Sequence, residues 1–334
     1  MDPSISSRFR PEVLDRARER YSIAADSIRL LDGFESFMYE FDRPDGRFIL
    51  RLSHSLRRSP DQIRGEVDWI NYLFAGGVNV AQAVLSTRGN LVEPIEDGQG
   101  GEFLCTAFTW ASGVHMNRNH LCDPMFANYG RLLGRMHALA RKYTVPDPAW
   151  KRPEWDTPEN IPVDKWFPAE LSPVLGKYTP LAAHLAALPK DMNSYGMIHQ
   201  DAHPGNFFVD DQFKITLFDF DDCVYGHFIY DLAMVLFYTS AWDKDPAAFT
   251  ARFMPVFLDA YRKENQLDPG WLKELPNYMK LREIDLFAQI HSQVPDSENS
   301  RDPWTANYMR GRREKIMNDT PFITYDWESL SPYL

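Results

Sequence analysis

Cysteine is scarce in this chain of 334 residues, with three in all. Cys105, Cys122 and Cys223 lie too far apart in sequence for a disulfide scaffold or a zinc cluster. Long apolar runs are missing as well. The amino terminus is polar and charged, and no stretch has the length of a signal segment or a membrane span. A cytoplasmic protein with no membrane partner is the reading that follows. Basic charge is also in deficit, with 36 Lys and Arg against 47 Asp and Glu and a net charge of -11. That balance argues against nucleic acid as a partner and suits a cationic small molecule better. Finally, the glycine fingerprint G-x-G-x-x-G is absent, and Gly33 stands alone in the first loop where one would be sought. What the chain does have is 44% hydrophobic and 14% aromatic residues, a globular composition. Its length allows two core-bearing lobes.

The most informative stretch runs from Ile198 to Asp222 and reads IHQDAHPGNFFVDDQFKITLFDFDD. An apolar strand end, Met197-Ile198, drops into a polar loop with Asp201, His203 and Asn206. Two apolar strands, Phe207 to Val209 and Phe213 to Phe218, then flank a turn at Asp210-Asp211 and predict a hairpin. Folding back in this way can bring Asp201 and Asn206 towards Asp219, at the head of the acidic group Asp219, Asp221 and Asp222. A carboxylate for a hydroxyl proton, beside an Asn and an Asp suited to Mg²⁺, is the layout that phosphoryl transfer requires. The plain alternative is a solvated Asp-rich turn, with His199 and His203 serving structure only.

The order H-x-D-x-H-P-x-N ahead of an apolar hairpin ending in D-F-D resembles the aminoglycoside phosphotransferase and choline kinase superfamily. Within it, the pattern is most similar to a branch of homoserine-kinase-like and stress-linked serine/threonine kinases. The resemblance covers roughly Ser27 to Tyr308. It implies an α+β, two-lobed, protein-kinase-like fold that uses ATP and Mg²⁺. Residues 1–110 would form a small antiparallel-sheet lobe that binds nucleotide. Residues 111–334 would form a larger, mostly helical lobe carrying the catalytic loop, metal site and acceptor site. By the same resemblance Asp201 corresponds to the catalytic base, Asn206 and Asp219 to the metal ligands, and His199 to a residue organising the loop. Asp231, in Tyr230-Asp231-Leu232-Ala233, corresponds to an aspartate that braces the loop from a helix start. Gln200 departs from the pattern, standing where glycine is common. Asp221 is a candidate to tune the metal shell.

In the amino-terminal part, Arg10 to Tyr21 reads as an amphipathic helix with Val13, Leu14 and Ala17 on its apolar side. Strands are expected at Ser27 to Leu31, Phe37 to Phe41 and Arg47 to Leu52, with Asp45-Gly46 as a hairpin turn. The loop Asp32-Gly33-Phe34-Glu35-Ser36 is where the resemblance places the nucleotide phosphates, cradled by backbone N–H groups and the Ser36 hydroxyl. Ser59-Pro60-Asp61-Gln62 carries a capping box and opens a helix, with Ile63, Val67, Ile70 and Phe74 facing the sheet and Gly76-Gly77 ending it. Arg51 is by itself an ordinary strand arginine and Glu66 a solvated helix residue. The resemblance makes Arg51 the counterpart of a phosphate-binding lysine and pairs it with Glu66. Strands are further expected at Ala81 to Ser86, Leu91 to Ile95 and Glu102 to Trp110. Cys105, Thr106, Ala107 and Phe108 are candidates for the adenine edge, with core packing as the alternative.

Beyond a lobe boundary near Thr109 to His115, Asp123 to Tyr143 has helical spacing, with Gly130 and Gly134 placed for close approach and His137 as a core histidine. Pro146 to Pro168, with Trp150, Trp155 and Trp166, reads as an insert open to use by the acceptor site. Pro180 to Leu188 reads as a short helix, Tyr225-Gly226 as the start of a loop, and Trp304 to Met317 as a helix-rich stretch. Glu283, Asp285, His291, Tyr308 and Arg310 are candidates to border a cleft. The leading function is transfer of the ATP γ-phosphate to a hydroxyl of an amino alcohol, sugar or aminoglycoside. A protein serine/threonine kinase of the same fold, and a degenerate nucleotide-binding protein, are the rivals.

Overall fold

The computed structural model describes residues 2–31, 33, 35–158, 161–241, 243–294 and 296–334. Asp32 and Phe34, part of the first expected turn, lie outside the described residues. The chain divides into two compact units. The first gathers Met1–Val114, Tyr143–Arg152 and Phe207–Asp221, and the second His115–Lys142, Pro153–Asn206 and Asp222–Leu334.

The first unit is built on an antiparallel sheet. Its strands are β1 (Ile28–Leu31), β2 (Phe37–Arg43), β3 (Gly46–His54), β4 (Ala83–Val84), β5 (Glu93–Glu96) and β6 (Glu102–Thr109). The order is β1-β2-β3-β6-β4, with β5 also paired to β6. Helix α1 (Pro11–Tyr21) buries Val13, Ala17 and Tyr21 in an apolar cluster with Phe41, Leu50, Leu52, Cys105 and Ala107. Helix α2 (Pro60–Ala75) starts at the expected capping box, with Ser59 and Gln62 satisfying each other's backbone N–H groups. Its inward face is Ile63, Glu66, Val67, Trp69, Ile70 and Leu73. Phe74, expected on that face, is 45% exposed, because Trp69 and Leu73 fill the inward positions of the last turns.

Two further strand expectations shrink here to Ala83–Val84 and Glu93–Glu96. Between them Ser86 Oγ takes the N–H groups of Arg88 and Asn90, so a side-chain-built turn replaces ladder pairing. The expected hairpin forms from Phe207–Val209 and Ile215–Leu217, antiparallel with Phe208 opposite Thr216. It docks within the same unit through a bridge from Val80 to Leu217 and through Asn79 Nδ2, which donates to the Ile215 carbonyl at 2.7 Å.

The second unit is mostly helical: α3 (Asp123–Ala140), α4 (Ser172–Ala186), α5 (Phe228–Ser240), α6 (Pro246–Tyr261) and α7 (Leu275–Gln293). Gly130 and Gly134 do permit close helix approach. A methyl on Gly130 would lie 2.0 Å from the Phe257 carbonyl oxygen, and one on Gly134 would lie 2.6 Å from that of Tyr261. Helix α4 begins well before the expected start at Pro180, which sits inside it and forfeits only the bond to the carbonyl four residues back. Tyr225 and Gly226 belong to the strand Val224–His227, paired with Tyr195–Ile198, and not to a loop. A Cβ on Gly226 would meet Ile198 Cδ1 at 2.5 Å, so this glycine serves a close strand approach. Trp155 is fully buried, edge-on to Tyr230 and Tyr278, and is therefore core. The stretch from Trp304 to Met317 breaks at Gly311 (φ 63°) into helices Pro303–Met309 and Arg312–Met317.

Candidate active site

On the first unit the central feature is Arg51 on β3. Strand alternation turns it, Thr106 and Phe108 to one face and leaves Leu50, Leu52, Cys105 and Ala107 on the other. Arg51 Nη1 and Nη2 donate to the two oxygens of Glu66, each at 2.7 Å, and Nε reaches Thr106 Oγ1 at 3.3 Å. The guanidinium carbon lies 5.1 Å from the Phe108 ring centroid. Both members of the ion pair are buried. Burial by itself would lower the Arg51 pKa, but Glu66, Asp221 and Asp219 outweigh it and fix the positive charge. The expected adenine edge is therefore corrected at Cys105 and Ala107, whose side chains are committed to the apolar cluster under α1. Thr106 and Phe108, the other two candidates for that edge, lie on the arginine's face.

The loop between β1 and β2 is tight. A Cβ on Gly33 would stand 2.1 Å from the Ser36 carbonyl oxygen, so only glycine fits there. Ser36 is buried, and its Oγ shares a hydrogen bond with Ser53 Oγ at 3.2 Å. Asp221, expected beside a metal, is instead gripped by arginines. Arg57 Nη1 donates to Oδ2, Arg58 Nε lies 3.4 Å from the same atom, and Arg51 Nη1 is 3.9 Å from Oδ1. Arg152 Nη2 also donates to its backbone carbonyl at 2.6 Å. Burial would raise the Asp221 pKa, and these guanidinium groups override it and hold the carboxyl well below the usual range. A carboxylate so engaged organises arginines. Asp219, two residues earlier, is exposed and has a left-handed backbone, φ 62°.

On the second unit Asp231 holds the backbone of the loop that follows Ile198. Asp231, in the first turn of α5 and fully buried, accepts the backbone N–H groups of His199 at 3.0 Å and Gln200 at 2.8 Å. His137 Nε2 lies 3.1 Å from Asp231 Oδ2, and its Nδ1 is 2.8 Å from Tyr261 OH. The Asp201 backbone N–H donates to His199 Nδ1 at 3.3 Å. Gln200 has φ 69°, the left-handed region that glycine enters at least cost.

Asp201 itself receives three side chains. Asn206 Nδ2 donates to Oδ2 at 3.0 Å and to the backbone carbonyl at 2.8 Å. His203 Nε2 is 3.3 Å from Oδ2, and Arg282 Nη2 donates to Oδ1 at 2.8 Å. Burial pushes the carboxyl up, but Arg282, His203 and His199 together hold it well below the ordinary carboxylate range. Arg282, on α7, also donates to Tyr238 OH from Nη2 at 2.6 Å and from Nε at 3.0 Å. Neither Arg282 nor Tyr238 was marked by the sequence, and no motif flags an arginine 81 positions away from the aspartate it holds.

Of the carboxylates expected at a cleft, Glu283 is a structural ion-pair centre for Lys280 and Arg312, and Tyr308 OH donates to its carbonyl. Asp285 is different. It is 4% exposed, its Oδ1 has no hydrogen-bond partner among the described residues, and burial raises its pKa to about 7.

Among the described residues no group of three or more His, Cys, Asp or Glu could hold a metal ion. The expected ligands nevertheless suit a hard cation. Asn206 spends its Nδ2 on Asp201, and its other side-chain polar atom is the carbonyl Oδ1. Asp219 supplies an exposed carboxylate. Taken singly, an amide oxygen and a carboxylate oxygen are each of the donor type that Mg²⁺ takes.

A strand arginine locked to a helix glutamate, and an Asp-Asn loop braced from a helix start, define a phosphotransferase of two-lobed, α+β, protein-kinase-like fold. Comparison with known proteins agrees. Residues 27–275 match the model of the phosphotransferase enzyme family. Amicoumacin kinase of Bacillus subtilis (strain 168) is 35% identical over 323 residues, 96% of this chain and 95% of that protein. A solved amicoumacin kinase in complex with AMP-PNP, Ca²⁺ and Ami superposes with a TM-score of 0.93 at 33% identity, covering 99% of this chain and 100% of that one. A microcompartment-associated aminopropanol kinase superposes at 0.73 over 92% and 98% of the two chains, at 22% identity, a likeness of fold alone. The chain belongs to the phosphotransferase enzyme family. It is an ATP-dependent kinase acting on hydroxyl groups of small molecules.

Proposed function

We propose that this enzyme phosphorylates a hydroxyl of an amino-alcohol compound, with amicoumacin as the first acceptor to test. The near-full-length similarity to an amicoumacin kinase supports the choice of acceptor. A cationic acceptor fits the chain's net charge of -11. The observation that carries the reading is the Asp201 carboxylate, kept ionised by Arg282 and His203 and fixed by Asn206.

Asp201 in this reading orients the acceptor hydroxyl and takes its proton as the phosphoryl group leaves ATP. Its depressed basicity suits a loose transition state, in which the hydroxyl proton is surrendered late and alignment matters most. Asn206 Oδ1 on the second unit, and separately the Asp219 carboxylate on the first, are the groups suited to Mg²⁺, which when bound would neutralise charge on the phosphate oxygens. Arg51 presents fixed positive charge to those phosphates, and Gly33 and Ser36 shape the loop that covers them. Phe108 offers a flat face for the base. His199 and Asp231 keep the loop in register. ADP release measured with amicoumacin, amino alcohols, sugars and aminoglycosides tests the assignment. Saturable turnover of amicoumacin is the expected result, and turnover confined to sugars would overturn the amino-alcohol reading.

A further inference from the structure

Two features of α7 lie outside the function described so far. Arg282 occupies Asp201 Oδ1, on the carboxylate that is to meet the acceptor hydroxyl. The other oxygen, Oδ2, is already shared by Asn206 Nδ2 and His203 Nε2. A guanidinium held at 2.8 Å damps the negative charge that orients a hydroxyl and crowds the oxygen with the fewest partners. Three residues further along the same helix lies Asp285, a buried carboxyl whose Oδ1 is unmatched among the described residues. Burying an unmatched polar group costs stability, so its retention calls for a reason.

Helical spacing supplies one. Residues i and i+3 share a helix face, within reach of an Arg–Asp pair. Tyr230 on α5 and Tyr178 on α4 are the titratable groups that a charge on Asp285 would act on, and Arg282 is the cation that acts on Asp285. Tyr238 OH holds Arg282 through both Nε, at 3.0 Å, and Nη2, at 2.6 Å, so the guanidinium plane swings towards Asp285 by releasing Nη2 from Asp201 and Tyr238 together.

We infer that Arg282 has two stations: it holds Asp201 while the acceptor site is empty and turns to Asp285 when the acceptor hydroxyl arrives. The inference rests on Asp201 being the residue that receives that hydroxyl. In the first station Arg282 keeps the Asp201 carboxylate ionised and fixed. In the second it frees Oδ1 for the hydroxyl and gives Asp285 the partner it lacks. Burial holds Asp285 protonated up to about pH 7. The arriving guanidinium therefore displaces its proton to solvent, so the Arg282–Asp285 pair is neutral and the site is one unit more negative, a charge carried by Asp201 where it meets the acceptor hydroxyl. Arg282 and Asp285 are thus positioning residues that act through Asp201.

Two experiments test this on the full chain. The first needs no acceptor. In a ligand-free crystal structure of Asp201→Asn, the charge that holds Arg282 is gone, and its guanidinium should lie within hydrogen-bond distance of Asp285 Oδ1. A guanidinium still resting on residue 201 overturns the inference. The second is a double-mutant cycle in amicoumacin turnover. Asp285→Asn should lower kcat at least 10-fold and leave AMP-PNP affinity unchanged, whereas adding it to Arg282→Gln should change kcat less than 2-fold. Effects that multiply, or a rise confined to the amicoumacin KM, would make Asp285 an independent acceptor contact and overturn the two-station account. Loss of the underlying reading looks different: a fully active Asp201→Asn removes Asp201 from the chemistry, whatever Arg282 does.

Discussion

Arg51 and Glu66 meet in a two-point fork, Nη1 to Oε1 and Nη2 to Oε2, both at 2.7 Å and both buried. Planar matching of this kind suits arginine and not lysine, which offers a single point of charge. The arginine at this position is thus part of a geometry that includes Thr106 and Phe108. Arg51→Lys keeps the charge but loses the fork and the Thr106 bond. It should raise the KM for ATP and lower Tm, with Arg51→Ala worse on both counts. Breaking a buried pair on one side costs about 3–5 kcal/mol. ATP titrations and thermal melts of both variants check this. Unchanged values in Arg51→Ala would return Arg51 to an ordinary strand residue.

The brace at Asp231 makes a second prediction. Its carboxylate takes two backbone N–H groups and faces His137. An amide there would turn a donor towards one of those N–H groups. Asp231→Asn should lose ~2–3 kcal/mol of stability together with activity. Paired melts and turnover decide it: an inactive variant with an unchanged melt would move Asp231 into the chemistry.

Gly130→Ala should destabilise by ~3 kcal/mol, since the methyl would meet the Phe257 carbonyl oxygen at 2.0 Å and must drive α3 and α6 apart. Denaturant midpoints check this, and a change below measurement error would mean the two helices part freely.

Asp285 sets a pH dependence. Its folded-state pKa is raised from 3.8 to about 7 by burial, against a smaller opposing pull from Arg282. The folded protein therefore keeps a proton that the unfolded chain releases near pH 4. Stability from this group is complete below about pH 4 and falls as pH rises to about 7, by ~4 kcal/mol at most. Asp285→Asn should flatten that part of the stability curve and melt above the wild type at pH 8. Identical curves from pH 4 to 8 would show that Asp285 has the same proton affinity in both states.

Much of this was legible in the sequence because the signals are local. The capping box at Ser59, the hairpin after Asn206 and the loop H-x-D-x-H-P-x-N each depend on residues a few positions apart. The Arg51–Glu66 pair was also legible, through the family resemblance. Long-range partners were not. Arg282 and Tyr238 carry no motif, and the arginines around Asp221 come from segments 57–58 and 152 that no pattern links to it. Strand alternation was available for Cys105 and Ala107, but nothing in the sequence told which face of β6 would look to α1. Gln200 shows the converse. The motif marks its position as one for glycine, and the structure supplies the reason in a backbone angle of 69°.

The most direct test of the central claim is steady-state phosphorylation of amicoumacin by Asp201→Asn, with AMP-PNP affinity measured on the same sample. The amide keeps the size of the side chain but takes away its charge and its proton acceptor. The expected result is a folded enzyme that binds nucleotide as the wild type does and loses about 10²–10⁴-fold in kcat. Wild-type turnover by this variant would contradict the assignment of Asp201 to the acceptor hydroxyl.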